Sequence, residues 1–217
     1  MPRNRKRFPL VVPDILPEAG IFPAQTPSTE AVSRLVAGKQ IEGVELRRLR
    51  MNHDARGCFT EVFQEHWGTC IKPVQWSIVH SKFNVFRGMY LHRRHDEYIS
   101  VITGRASVGL RDLRPWSPTK NTWSLYELHG SDLTCISFPI GLLHGWYFHE
   151  PSIHLQAVSE AYVDYGKVDN WRCRWSDPAL EISWPFTDPI LAKYASDFPT
   201  LVELEAALGE WGQRPPR

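Results

Sequence analysis

Residues 84–104 read NVFRGMYLHRRHDEYISVITG, and this stretch decides the fold. Val85 to His92 alternates in the manner of a strand with one face turned inward, and a turn at HRRHD follows. Tyr90 and His92 are two apart, so they project from the same strand face. Glu97 opens a second strand, and Gly104 closes it at a turn where a residue without Cβ suits positive φ. A matching segment lies downstream, Pro139-Ile140-Gly141-Leu142-Leu143-His144. In a small antiparallel barrel, two such segments bring their inward side chains together in the mouth.

Working outward from Ile41, the runs VELRRLRM, KPVQWSIVHS, ASVGLRDLR, WSLYELH, LTCISFP, GWYFH and HLQAVSEAYV are short, apolar at intervals and bounded by turns. With no long helix interleaved, they predict an all-β jelly-roll-like barrel. Ser28-Thr29-Glu30 before AVSRLVAGK predicts a short capped helix ended by Gly38. Leu201, Leu204 and Leu208 share one stripe of an amphipathic helix over Asp197–Trp211. The organisation expected is an N-terminal extension over 1–40, a barrel domain over 41–195, and a C-terminal helix and tail over 196–217. The 217 residues suffice for one such domain with a real core. A formal charge of +1 gives no reason to expect nucleic acid as a partner, and no apolar run has the length of a membrane span. The basic start MPRNRKR reads as a solvated tail, and Pro9–Pro27 as an extended segment. Cys58, Cys70, Cys135 and Cys173 form no CxxC pair, which argues against a zinc ribbon and for free thiols in a cytoplasmic protein.

Several separated motifs carry a resemblance. They are Asp54-Ala55-Arg56-Gly57-Cys58-Phe59-Thr60-Glu61, Gln75, Asn84-Val85-Phe86-Arg87-Gly88, Asp112-Leu113-Arg114 with Ser117-Pro118-Thr119 and Trp123, Pro139-Ile140-Gly141 with His144-Gly145, and Trp175-Ser176-Asp177 with Trp184-Pro185. In that order and spacing the chain resembles the dTDP-4-dehydrorhamnose 3,5-epimerase family, dimeric cupins acting on nucleotide-linked 4-keto sugars. The resemblance spans about Val44 to Pro185. It implies a cupin barrel, a homodimer, no cofactor, and a base, an acid and an enolate-stabilising Lys. The Asp that backs the base corresponds to Asp177. The base position holds Tyr90, the acid position Gln156 and the Lys position Glu97. Gln has no proton to give at neutral pH and a neutral Tyr is a poor base, so the usual double epimerisation is not expected. The candidates for altered catalysis are then His92 or Tyr90, on one strand face, acting with Asp177, and His144. The substrate-holding positions that the resemblance carries over are Arg56 and Arg87 for diphosphate and sugar, and Glu61, Gln75 and Tyr162 for the nucleotide; Gln156, no longer an acid, is expected among the substrate-binding groups.

The replacements form a pattern of their own. His92, Glu97 and His144 match three of the four ligand positions of a metal-binding cupin, with Tyr90 in the fourth. Two His and a carboxylate suit a divalent iron, manganese or zinc ion. His154, two before Gln156, should face the same interior. Three readings stand side by side: a nucleotide-sugar enzyme with altered chemistry, a metal-dependent cupin enzyme on another small molecule, and a non-catalytic nucleotide-sugar-binding protein.

Overall fold

The computed structural model describes residues 32–166 and 168–209, Tyr165 by its backbone alone. The basic tail, the proline-rich segment and the Ser28–Glu30 cap lie outside them. The described strands are β1 (Arg34–Gly38), β2 (Glu45–Arg48), β3 (Met51–Asp54), β4 (Gly57–Thr60), β5 (Gln75–Ser81), β6 (Val85–Leu91), β7 (Glu97–Thr103), β8 (Arg105–Asp112), β9 (Trp123–His129), β10 (Thr134–Phe138), β11 (Leu142–Phe148), β12 (Ser152–Val158) and β13 (Trp171–Arg172). A one-turn helix, α1 (Tyr162–Tyr165), follows β12, and α2 (Leu201–Leu208) comes last. One sheet has the order β1-β9-β8-β11-β6-β13 and the other β2-β10-β7-β12-β5, while β3 and β4 form a separate hairpin. All these strand pairs are antiparallel, and the two sheets make the jelly roll of the cupins. No helix among the described residues is long and apolar enough to cross a membrane.

The expected helix ending at Gly38 is a correction: Arg34–Gly38 is β1, paired with β9 at the edge of the larger sheet. Leu-Val-Ala follows the cap signature, and those residues accept either period. The edge of β9 offers them a ladder of backbone partners, and tertiary pairing overrides a weak local preference. Gly38 still ends the element at φ +81.

β11 shows why the larger sheet is buried on both faces. All seven of its residues are buried. Leu142, Trp146 and Phe148 pack inward with Val101, Val108, Leu128, Ile136 and Phe138. Leu143 and Tyr147 point outward into a second core with Phe86, Met89, Leu91 and the α2 leucines. Leu201, Leu204 and Leu208 are the buried residues of α2, as their spacing predicts. The helix is shorter than expected because Thr200 caps it: its Oγ1 accepts from Glu203 N while Glu203 reaches back to Thr200 N.

β6 departs from simple alternation. Gly145 and His144, adjacent on β11, pair with Gly88 and Tyr90, so Met89 is an extra residue on β6. Such a bulge turns the strand by one step. Phe86, Met89 and Leu91 therefore face the outer core, while Arg87 and Tyr90, three apart, both reach the interior cavity. Gly88 at φ +132 permits this turn, since a Cβ there would stand 2.7 Å from Gly145 Cα.

Candidate active site

Between the sheets lies a cavity of about 380 Å³. The β6 side of the larger sheet contributes Arg87 and Tyr90, with His92 just beyond the strand end and His144 from neighbouring β11. The smaller sheet contributes Glu97 from β7, and His154 and Gln156 from β12. Residues 190–195 form part of the wall, and the Tyr194 hydroxyl stands 3.5 Å from that of Tyr90.

The floor is a buried knot of imidazoles around one carboxylate. Glu97 is only 2% exposed. Its Oε1 lies 3.2 Å from His92 Nε2, 3.6 Å from His144 Nε2 and 3.7 Å from His95 Nε2. Its Oε2 accepts a hydrogen bond from Gln156 Nε2 at 3.2 Å. The other ring nitrogens face backbone acceptors: His92 Nδ1 meets Asp169 O at 2.7 Å, and His144 Nδ1 meets Leu142 O at 3.0 Å. A carbonyl only accepts, so each Nδ1 carries a proton, and each Nε2 is turned towards Glu97.

Asp169 organises the turn at residues 92–95. Its carboxylate accepts from the backbone N–H of Arg93 and Arg94 at 2.8 and 2.9 Å and lies 3.5 Å from His95 Nδ1. Burial opposes ionisation of Asp169, yet His95 and those two N–H groups hold its carboxyl below the usual range. Burial likewise opposes protonation of His95, but Asp169 and Glu97 on either side push it up to about 9. His144 falls to about 4, because burial there outweighs Glu97. Burial also works against the charge on Glu97, but the surrounding imidazoles hold it well below the usual carboxylate range.

Two further groups line the cavity in neutral form. Burial, then the Tyr194 hydroxyl, raise the Tyr90 phenol. Burial, with Arg87 nearby, pushes His154 down to about 4. Its ring stacks on Phe148 at 5.3 Å, and its buried Nδ1 has no hydrogen-bond partner among the described residues. Arg87 is exposed at the cavity, with Nε donated to Ser81 Oγ and Nη2 to His80 O.

The structure thus brings together Tyr90, His92, Glu97, His144, Arg87 and Gln156. It places the other expected site residues elsewhere. Asp177 is a correction: its Oδ1 accepts from Ala179 N and its Oδ2 from Leu201 N, so it ties a short turn to the start of α2 and does not line the cavity. With Tyr90 in place of an imidazole, the carboxylate has no ring to hold, and two free N–H groups claim it. Arg56 sits at the tip of the β3–β4 hairpin with a 90% exposed side chain, paired to Asp54 at 2.6 Å. Glu61 follows that hairpin. Gln75 Oε1 accepts from Tyr162 N at 2.9 Å, which joins the starts of β5 and α1, and neither residue lines the cavity. Sequence reasoning missed Asp169. The only local sign is an Asp in a turn-forming Val-Asp-Asn stretch, and its partners lie more than seventy positions away.

The family model for dTDP-4-dehydrorhamnose 3,5-epimerase matches residues 38–203. The chain belongs to that epimerase family. Among this epimerase-family chain's relatives, the dTDP-4-dehydrorhamnose 3,5-epimerase of Shigella flexneri is 30% identical over 149 residues, covering 64% of this chain and 80% of that protein. The spore coat polysaccharide biosynthesis protein SpsL of Bacillus subtilis is 26% identical over 151 residues, 66% of this chain and 96% of that protein. The crystal structure of the Bacillus anthracis enzyme with TDP and PPi bound superposes with a TM-score of 0.69 at 27% identity, covering 78% of this chain and 100% of that one.

Proposed function

We propose that this epimerase-family chain acts on a nucleotide-linked 4-keto sugar and exchanges the proton at a single carbon beside the ketone. The outcome would be one epimerisation or a keto isomerisation. Family membership and the nucleotide in the Bacillus anthracis structure support the substrate class. Arg87 at the cavity supports a diphosphate, whose oxygens fit a guanidinium fork.

One observation carries the altered chemistry: Tyr90 enters the cavity from one sheet and His154 from the other. In the resemblance drawn above, the imidazole belongs on the β6 side and the phenol on the β12 side, so the two walls have exchanged chemistry. A phenol held neutral by burial donates a proton, and a neutral imidazole accepts one. The α C–H bond breaks, its proton passes to His154, and its electron pair moves onto the carbonyl oxygen as an enolate. Return of a proton from Tyr90 on the opposite face inverts that carbon. The test is incubation with dTDP-4-keto-6-deoxyglucose in deuterium oxide, followed by NMR. Deuterium should enter at one of C3 and C5, and Tyr90→Phe and His154→Gln should each slow its entry by ~10²–10⁴-fold. Exchange at both carbons, or at neither while dTDP still binds, would overturn this reading.

A homodimer belongs to the same proposal. Phe59 on β4, and Val74, Trp76 and Ile78 at and before the outer face of β5, are exposed apolar groups, with Phe59 at 65% and Ile78 at 68%. Among the described residues, β5 is also the edge strand of the smaller sheet. A second copy seated there would bring its Arg56 hairpin towards this chain's cavity and cover that patch. Light scattering at micromolar concentration should give twice the 25.0 kDa chain mass.

A further inference from the structure

We propose that His92, Glu97 and His144 together hold one divalent transition-metal ion at the floor of the cavity. The three side chains are buried, and one ligand atom from each lies within 4.8 Å of the others. The donors suit such an ion chemically, since imidazole nitrogen and carboxylate oxygen bind iron(II), manganese(II), cobalt(II) and zinc(II). They also suit it geometrically. Two ligand atoms each about 2.1 Å from a metal, at angles near 90–110°, stand about 3.0–3.4 Å apart. Glu97 Oε1 lies 3.2 and 3.6 Å from the two Nε2 atoms, so small side-chain shifts complete the shell.

The groups behind the ligands make the stronger case. His92 Nδ1–H is committed to Asp169 O and His144 Nδ1–H to Leu142 O, which fixes both rings in the tautomer with Nε2 as donor to a metal. Gln156 takes Oε2 of Glu97 and leaves Oε1 facing the two rings. Ligand orientation by such bonds is the usual support of a built metal site. Both Nε2 atoms and Oε1 of the carboxylate converge on one small volume, which a single cation can occupy. His95 stands behind Glu97 and does not line the cavity, so the remaining coordination positions open towards the substrate space.

A function for the ion rests on the reading given under Proposed function. Glu97 occupies the position where the resemblance places a Lys near the enolate oxygen. A cation held by Glu97 would return positive charge to that place and polarise the sugar carbonyl as a Lewis acid. The binding of the ion does not depend on that reading.

The test therefore reads metal on the full-length protein without sugar. Elemental analysis after purification and dialysis should find about one transition metal per chain. After chelation, cobalt(II) titration should give saturable d–d absorption at one equivalent and raise the thermal midpoint. Glu97→Gln and His144→Asn should each lower cobalt affinity by at least roughly 100-fold, with circular dichroism confirming that the variants fold. His149→Gln, a histidine bonded to Ser107 away from the cavity, should bind as wild type. Absence of saturable cobalt binding by folded wild-type protein would overturn the proposal. So would wild-type affinity in both folded ligand variants, or an equal loss in His149→Gln. Deuterium exchange into the keto sugar by metal-free protein would leave the epimerase reading standing while removing the ion's role in it.

Discussion

Replacing Asp112 with Ala tests how the rim of the larger sheet is held. Asp112 ends β8, is fully buried, and accepts five hydrogen bonds. Arg114 supplies three, from N at 3.1 Å, Nε at 2.8 Å and Nη2 at 2.7 Å, while Ser117 Oγ and Thr119 Oγ1 add two at 2.6 and 2.8 Å. Arg114 is itself 3% exposed, so the substitution strands a buried guanidinium. Removing one partner of a buried ion pair costs about 3–5 kcal/mol. Glu42, 3.4 Å from Nη1 and half exposed, remains as a weaker counter-charge, and its carbonyl still accepts from Nη2. That residual pairing sets the expected loss at the lower end, roughly 3 kcal/mol. Against a typical total of about 5–15 kcal/mol, the change is easily read by urea unfolding at one fixed protein concentration. Asp112→Ala combined with Arg114→Met should recover part of the loss, because no charge is then left buried. Burial opposes ionisation of Asp112, but Arg114, Ser117 and Thr119 hold its carboxyl below the ordinary value. Its contribution is therefore present above about pH 4 and lost as pH falls through the lower folded value, so wild type and Asp112→Ala should converge in acid. A loss under ~1 kcal/mol, or strict additivity in the double variant, would refute the reasoning.

Three further outcomes follow from the cavity. Arg87→Met removes the cavity cation assigned above to a proposed diphosphate contact and should weaken dTDP binding ~10–100-fold in calorimetry, a loss of about 1.4–2.8 kcal/mol. His154 is neutral with a value near 4 in the fold and near 6.5 when unfolded, so stability should fall by up to roughly 3 kcal/mol as pH drops from about 6.5 to 4. Denaturant midpoints measured across that range should flatten in His154→Gln. Gly88→Ala forces a Cβ at positive φ against Gly145 and should cost roughly 2 kcal/mol or more. It should also slow any exchange activity, because the bulge that aims Arg87 and Tyr90 is lost.

Much of the fold was legible because jelly-roll strands announce themselves by short apolar runs and by turns at fixed places. Gly104 at φ +83 stands where the sequence asks for it. Strand parity and the matched second segment put Tyr90, His92, His144 and Gln156 in one cavity, and they line it together; Glu97 joined the two histidines only through its match to a ligand position of metal-binding cupins. Parity could not foresee the bulge at Met89: one inserted residue is invisible in a pattern until the partner strand is known. Without it Arg87 and Tyr90 would face opposite ways. Asp177 was misplaced for a related reason. A carboxylate serves whichever donors reach it, and here these are the N–H groups of Ala179 and Leu201. The motif at Asp112, Arg114, Ser117 and Thr119 carries a family signature, and its content is structural, since all four side chains satisfy one another away from the cavity.

The energetics of Glu97 bear on whether the chain only binds. A pocket that merely recognises a nucleotide sugar gains nothing from a nearly inaccessible carboxylate ringed by three imidazoles. Desolvating that carboxylate costs several kcal/mol before any partner is counted. An apolar or amide side chain of similar size would hold β7 against β12 at lower cost, and Gln156 beside it shows that an amide fits this floor. Glu97 must therefore be offset by strong local charge, from a protonated imidazole or from a metal ion. Either arrangement places positive charge a few ångströms from the substrate space, where an enolate would need it. A cavity built around that charge, with a phenol on one wall and a neutral imidazole on the other, has the parts for proton transfer beside a ketone.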